Sequence, residues 1–148
     1  MDRNSALTPR LIDSLYVEAM LLADEARAYF DKHGRDDRMG LDPLVRVGFS
    51  CESLKVTTRL MHIIAWLLTQ RAVGAGEISA AQASKPERRL GDAVESDPDV
   101  LAKLPDSALA LIQSSRDLYE RVRRLEEGSA EPVQSPARSL LNRLERSL

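Results

Sequence analysis

The chain has 148 residues, enough for one domain, and carries a formal net charge of −2 with 30% charged residues of both signs. This balance argues against a protein that binds nucleic acid through a basic surface, and the single cysteine excludes an intramolecular disulfide. The first residues are polar and lack the apolar core of a signal peptide, so we expect a cytoplasmic protein.

The first predicted helix spans about residues 9–33. Thr8 and Pro9 have the pattern of an N-cap followed by proline at the first helical position, and residues 1–7 form a loose lead before it. Gly34 ends the helix. Apolar residues recur every three or four positions, so we expect one face to pack in a core. These residues are Ile12, Leu15, Ala19, Leu22 and Ala26, followed by Tyr29 or Phe30.

The second predicted helix, about residues 42–73, is apolar around most of its circumference and is therefore expected at the centre of the fold. A heptad-like stripe is predicted to form its packing seam. A second stripe covers much of the remaining surface. The first stripe comprises Leu44, Val47, Cys51, Leu54, Thr58, Met61, Ala65, Leu68 and Ala72; the second comprises Phe49, Val56, Leu60, Ile63, Ile64, Trp66 and Leu67.

Three further expectations concern this central helix. Its continuous apolar run, residues 60–68, is too short to cross a bilayer, which needs roughly 20 apolar residues, so we expect no membrane span. Gly48 lies inside the helix, where we expect it to allow close packing against the first helix. The excess apolar surface around Ile63, Trp66 and Leu67 predicts either a homodimer or a 74–104 segment packed strongly over it.

Residues 74–104 form a long connection, because Pro86, Gly91 and Pro98 prevent any long element. Ser79 and Gln82 match a capping box that opens a short helix. Two alternatives remain for this segment: an exposed binding loop, or a spacer that returns the chain to the far end of the bundle. A third helix of about residues 105–127 follows. Its predicted seam is Ala108, Leu111, Ser115, Leu118, Val122 and Leu125.

Residues 129–148 are predicted to be a tail, a flexible linker followed by a short amphipathic helix that presents Leu140, Leu141 and Leu144. These leucines either dock in a groove of a partner or fold back onto their own bundle. The sequence therefore predicts an all-α protein: an antiparallel three-helix bundle domain over residues 1–128, and a flexible amphipathic C-terminal tail.

No constellation of catalytic residues is present, so we predict that the protein is not an enzyme and that it has no cofactor site and no metal site. Cys51 and His62 lie about three helical turns apart, too far to share a metal ion. We expect His62 to be partly buried with a hydrogen-bonded nitrogen, a role as pH sensor or partner contact being the alternative. Cys51 is expected to pack as a small apolar side chain.

Two stretches resemble a known family. Residues 15–31, LYVEAMLLADEARAYFD, and residues 49–68, FSCESLKVTTRLMHIIAWLL, are similar to the alphaproteobacterial regulators of CtrA degradation, the RcdA-like proteins. In the second stretch the polar residues match as well as the apolar ones. The resemblance covers the first two helices closely and the general layout through the third helix.

This resemblance implies a three-helix bundle that pairs as a homodimer and acts as a non-enzymatic adaptor in regulated proteolysis of cell-cycle regulators. Such adaptors link the protease ClpXP to substrates, among them the response regulator CtrA, with receiver-domain partners, and their partners can recruit them to a cell pole. The resemblance gives as candidate partner-binding residues Glu18, Asp24, Glu25, Arg27, Glu52, Lys55, Arg59 and His62. For each of these, a salt bridge within the bundle or a solvated face is the alternative.

A bundle that senses a signal or a small molecule is the alternative function, with a pocket near Tyr16, His62 and Trp66. A helical DNA-binding transcription factor is disfavoured by the net charge and by the lack of a recognition helix with a basic face.

Overall fold

A computed structural model describes residues 3–130, 143–145 and 147 of this chain, and all regular structure in these residues is helical. The all-α class is therefore confirmed. The elements are α1 (Arg3–Ala28), a π-helical turn (Tyr29–His33), α2 (Arg35–Met39), α3 (Pro43–Gly74), α4 (Ala80–Ala83), a 3-10 turn (Pro86–Arg88), α5 (Pro98–Leu101) and α6 (Asp106–Ala130).

The three long helices, α1, α3 and α6, form the bundle. Helix α1 is antiparallel to α3, since Asp13 in the first half of α1 pairs with Arg71 near the end of α3 at 3.3 Å, while Phe30, just after α1, packs edge-on against Phe49 near the start of α3. Helix α1 is also antiparallel to α6, since Glu18 pairs with Arg121 while Glu25, farther along α1, borders a cleft with Ser114, nearer the start of α6. Helices α3 and α6 run parallel to each other. The connection between them carries the chain back along the bundle, as the spacer alternative expected, so that Leu101 and Leu104 join the same core before α6 begins.

Helix α1 confirms the predicted core face but not the predicted start. It begins at Arg3 rather than at Pro9, which lies inside the helix. The apolar series through Ala26 and Tyr29 is buried, whereas Phe30 is only partly buried. Tyr29 opens the π-helical turn, and its hydroxyl donates a 2.7 Å hydrogen bond to Asp37 of α2. Burial, reinforced by this bond, raises the pKa of the Tyr29 phenol.

The predicted seam of α3 is wrong, because the heptad-like stripe faces solvent and the second stripe faces the core. Leu44, Leu54 and Met61 are 87%, 68% and 64% exposed. We use the name α3 stripe for the exposed side chains Leu44, Val47, Cys51, Leu54, Met61 and Leu68. Cys51 is thus exposed rather than packed as a small core group. The buried face consists of Phe49, Glu52, Val56, Arg59, Leu60, Ile63, Trp66 and Leu67.

The connection covers the part of α3 that the sequence identified as excessively apolar. Ile63, Trp66 and Leu67 are all buried, and Trp66 borders a cavity together with Ala80 and Ala83 of α4. The predicted capping box is confirmed: Ser79 and Gln82 exchange their side-chain and backbone hydrogen bonds at 3.1 and 2.9 Å.

Gly48 contacts a different neighbour from the one predicted. Close packing does explain this glycine, but a Cβ at Gly48 would stand 2.7 Å from Cγ1 of Val100 in α5, not against α1. The small residue therefore lets the connection, rather than the first helix, approach α3.

Candidate functional site

A network of buried polar side chains crosses the middle of the bundle. Glu52 and Arg59 on α3 are 1% and 2% exposed, and Ser96 of the connection bridges them. The Ser96 hydroxyl donates to Glu52 at 2.6 Å and accepts from Arg59 at 2.8 Å. Arg59 also donates to the Val94 carbonyl at 3.0 Å and to the Ser115 hydroxyl of α6 at 3.3 Å. One arginine thereby ties α3, the connection and α6 together.

The two buried charges of this network are compensated in different ways. Lys55, half-buried, donates to the second carboxylate oxygen of Glu52 at 3.0 Å. Among the described residues, Arg59 donates hydrogen bonds only to hydroxyl and carbonyl oxygens, so its positive charge reaches the Glu52 carboxylate indirectly, through Ser96. Burial consequently lowers the pKa of the Arg59 guanidinium, while the Glu52 charge acts in the opposite direction.

A cleft of about 520 Å³ opens to solvent beside Arg59. Residues 92–95 of the connection form one wall, and the surface of α6 forms the other. Its α6 wall carries the side chains of Gln113, Arg116, Asp117, Tyr119, Glu120 and Arg123. Because the cleft combines a buried guanidinium with a mixed-charge rim, it can accept a polar ligand rather than an apolar one.

His62 lies under the connection beside this cleft. A Cβ at Gly91 would stand 2.6 Å from its Nδ1, so only glycine fits over the ring without displacement. His62 is half-buried, as predicted, but its buried Nδ1 has no hydrogen-bond partner among the described residues, which contradicts the expectation for that nitrogen. Tyr119 holds the glycine in place through a 2.6 Å bond from its hydroxyl to the Gly91 carbonyl.

The candidate residues on α1 lie at the surface. Glu18 pairs with Arg121 of α6 with both side chains about half exposed. Asp24, Glu25 and Arg27 are exposed, and Arg27 approaches Asp31 at 3.9 Å. The candidate residues on α3 lie deeper, with Glu52 and Arg59 buried and Lys55 and His62 half-buried. Glu52, Lys55 and Arg59 belong to the polar network, whereas His62 does not.

The tail candidates fall almost entirely beyond the described residues. Leu140 and Leu141 lie outside them. Leu144 is within the short helical stretch 143–145 and is 56% exposed.

The small-molecule pocket expected near Tyr16, His62 and Trp66 is not formed in the predicted way. Tyr16 instead lies 4.8 Å beneath the Arg71 guanidinium, and the cavity beside Trp66 is bordered by α4 and α6 rather than by Tyr16 or His62. The cleft beside Arg59 was missed by the sequence reasoning, since nothing in the pattern distinguishes Arg116 from the other arginines of α6.

The part of the chain that the structure describes matches neither of two kinds of site, a membrane-spanning helix and a metal-binding cluster. Over residues 3–130, 143–145 and 147, no helix combines the length and hydrophobicity that crossing a membrane requires. The same residues contain no group of three or more His, Cys, Asp or Glu side chains arranged to hold a metal ion.

Comparison with known proteins supplies relatives for this architecture. Residues 3–148 match a family described as a protein of unknown function, DUF1465. Among solved structures, the chain is similar to RcdA from Caulobacter crescentus, with 36% identity and a TM-score of 0.69. The match covers 85% of this chain and 95% of that one. No curated protein matches the chain.

Proposed function

Because this chain belongs to the DUF1465 family and is an RcdA-like protein, we propose that it is a non-enzymatic adaptor in the regulated proteolysis of cell-cycle regulators. The observation that carries the proposal is the 36% identity with RcdA over 85% of the chain. The large exposed apolar surface of α3 supports it, because such surfaces on a folded domain are typical of protein contacts.

The proposed partners are the protease ClpXP, a response regulator of the CtrA type as cargo, and a receiver-domain protein that assists delivery. All act through protein surfaces, and the adaptor itself requires only binding. The proposal includes a cytoplasmic location, with recruitment to a cell pole by these partners.

The α3 stripe is the proposed homodimer interface. Its large apolar side chains recur at the 3-and-4 spacing that lets two helices pack along a shallow crossing, and Met39 of α2 extends the patch beside Cys51 and Leu54. Two copies that place these stripes against each other remove an apolar face from water, which is the main favourable contribution to association.

The adaptor proposal is tested by reconstituted degradation. Purified ClpXP, a receiver-domain partner and a CtrA-type cargo from the same organism are incubated with and without the protein, and cargo loss is followed on gels. We expect the protein to accelerate loss several-fold at limiting cargo concentration, where delivery sets the rate.

Two controls keep this test specific. A cargo lacking its protease-recognition segment must remain stable, and ClpXP must degrade an adaptor-independent substrate at the same rate with and without the protein. An unchanged rate of cargo loss, together with no binding of the protein to any of these components, would overturn the proposal.

A further inference from the structure

The cleft beside Arg59 contains positive charge that the described residues do not pair directly. Over residues 3–130, neither Arg59 nor Arg116 forms an ion pair with a carboxylate. Both line the same cleft, where the charge of Arg116 acts to lower the pKa of Arg59. An anionic group placed beside Arg116 in this cleft is attracted by both guanidinium groups and can accept hydrogen bonds from Arg116.

The other charged residues of the α6 wall are already engaged. Arg123 pairs with Glu120 and with Glu127, and Asp117 accepts a 2.9 Å hydrogen bond from Gln113. Arg116 is therefore the half-exposed cation of this wall that is available to a ligand. On the opposite wall, Asp92 and Glu95 are exposed carboxylates at the rim. Because these carboxylates repel the many charges of a polyanion far more than a single carboxylate group, they disfavour nucleic acid as the ligand.

On the wall formed by the connection, backbone groups rather than charged side chains are the features that a ligand can bind. Residues 92–95 belong to no helix or strand, and the backbone N–H groups of Asp92, Val94 and Glu95 have no hydrogen-bond partner among the described residues. The Val94 side chain is exposed beside them. An extended peptide can pair with such free backbone groups while its side chains enter neighbouring pockets. The Arg59 bond to the Val94 carbonyl holds this wall in position.

We propose that the cleft binds a short extended peptide segment of a protein partner, with one Asp or Glu side chain of that segment placed between Arg59 and Arg116. The inference deepens the proposed adaptor function by giving the chemical class of the partner segment, and it rests on that function only for the partner's biological role. Peptide binding itself requires neither the protease nor a cargo protein.

The test begins with selection of a random dodecapeptide phage library on the full-length protein. The enriched sequence is synthesised with a fluorophore, and its affinity is measured by anisotropy. We expect the enriched sequence to contain an Asp or Glu. Its replacement in the peptide by Asn or Gln, and Arg116→Gln in the protein, are each expected to weaken binding by about tenfold or more, since each removes one partner of the same ion pair. Combining both changes adds little further loss.

Arg116 is chosen over Arg59 because Arg59 is part of the buried network and its loss would disturb the fold. The matched control is Arg124→Gln, which removes an exposed arginine of α6 outside the cleft and must leave the affinity unchanged. The inference is overturned if the library yields no enriched sequence, if the enriched sequence lacks an acidic residue, or if Arg116→Gln binds it as the original protein does.

Two outcomes separate this inference from the adaptor proposal. Peptide binding that depends on Arg116, combined with no effect on cargo degradation, supports the cleft and removes the proteolytic role. Accelerated degradation by both the original protein and Arg116→Gln, combined with no peptide binding, supports the adaptor and overturns the cleft. Free glutamate that binds in an Arg116-dependent manner where peptides do not would make this a small-molecule site and overturn the peptide proposal.

Discussion

The Ser96 hydroxyl bonds to both Glu52 and Arg59, two buried charged side chains that are not hydrogen-bonded to each other. Ser96→Ala removes the donor to Glu52 and one acceptor from Arg59, while both charges stay inside the protein. We expect the free energy of unfolding to fall by about 1–3 kcal/mol, because leaving buried polar groups unsatisfied carries their desolvation penalty. Urea denaturation followed by circular dichroism measures this change.

The exposed serine of α6 that neighbours the network supplies the comparison. Ser114→Ala removes the same hydroxyl from a solvent-facing position, and a change within about 0.5 kcal/mol is expected. Equal effects of the two substitutions would contradict a special role for Ser96.

Sequence reasoning could not find this network. Glu52 and Arg59 are charged, and charged residues on a helix are usually solvated, so the sequence offers each of them partner binding, a salt bridge within the bundle or a solvated face, but not a buried network. Their burial depends on Ser96, which belongs to another segment and has no distinguishing local pattern. Arg116 is equally inconspicuous, since its availability depends on the pairing of its neighbours in three dimensions.

The three long helices differ in how well their sequences specify a buried face. Helices α1 and α6 each carry one apolar stripe, and its predicted members are buried almost without exception. Helix α3 carries two apolar stripes, and the one that faces the core is interrupted by Glu52 and Arg59. Periodicity therefore favoured the more uniform stripe, which is the exposed one. The end of α3 and its proline-led start were predictable because glycine and proline act locally.

The close approach of α5 to α3 gives a prediction about coupling between two residues. In a protein that already carries Val100→Ala, the side chain facing position 48 is shorter. There, Gly48→Ala is expected to raise the free energy of unfolding by about 1 kcal/mol, because alanine has a higher helix propensity than glycine. In the original protein the new Cβ meets the stiff Val100 side chain, so the same substitution is expected to be less favourable by about 1 kcal/mol or more. Urea denaturation of the four variants of this cycle measures the difference.

Gly74→Ala is the control for this cycle, because nothing lies within 4 Å of a Cβ at that position. Its effect is expected to be the same with Val100 or Ala at position 100. A Gly48→Ala effect that is also independent of position 100 would contradict the proposed packing role of the glycine.

For the assembled protein, we predict that two copies form a dimer. If the α3 stripe forms the proposed interface, Leu54→Lys places an unpaired charge against the partner copy and is expected to convert the dimer to a monomer. Size-exclusion chromatography with light scattering at tens of micromolar protein gives the molar mass directly.

A matched surface leucine distinguishes the stripe from general surface hydrophobicity. Leu21→Lys changes a leucine of α1 that is exposed to a similar extent but lies outside the stripe, and it is expected to remain dimeric. A monomeric original protein would refute the dimer, and dissociation caused by Leu21→Lys alone would move the interface to α1.

The parallel arrangement of α3 and α6 has a consequence for the order of folding. Helices α1 and α3 are joined by residues 29–42, the shorter of the two connections, and contact each other extensively, so we expect them to pair first as a helical hairpin. Helix α6 reaches α3 only after the long connection has closed, which carries a larger loop-closure entropy. Within the early hairpin, Glu52 and Arg59 still face water, and their dehydration is postponed to the last docking step, when Ser96 and Ser115 arrive to replace that water.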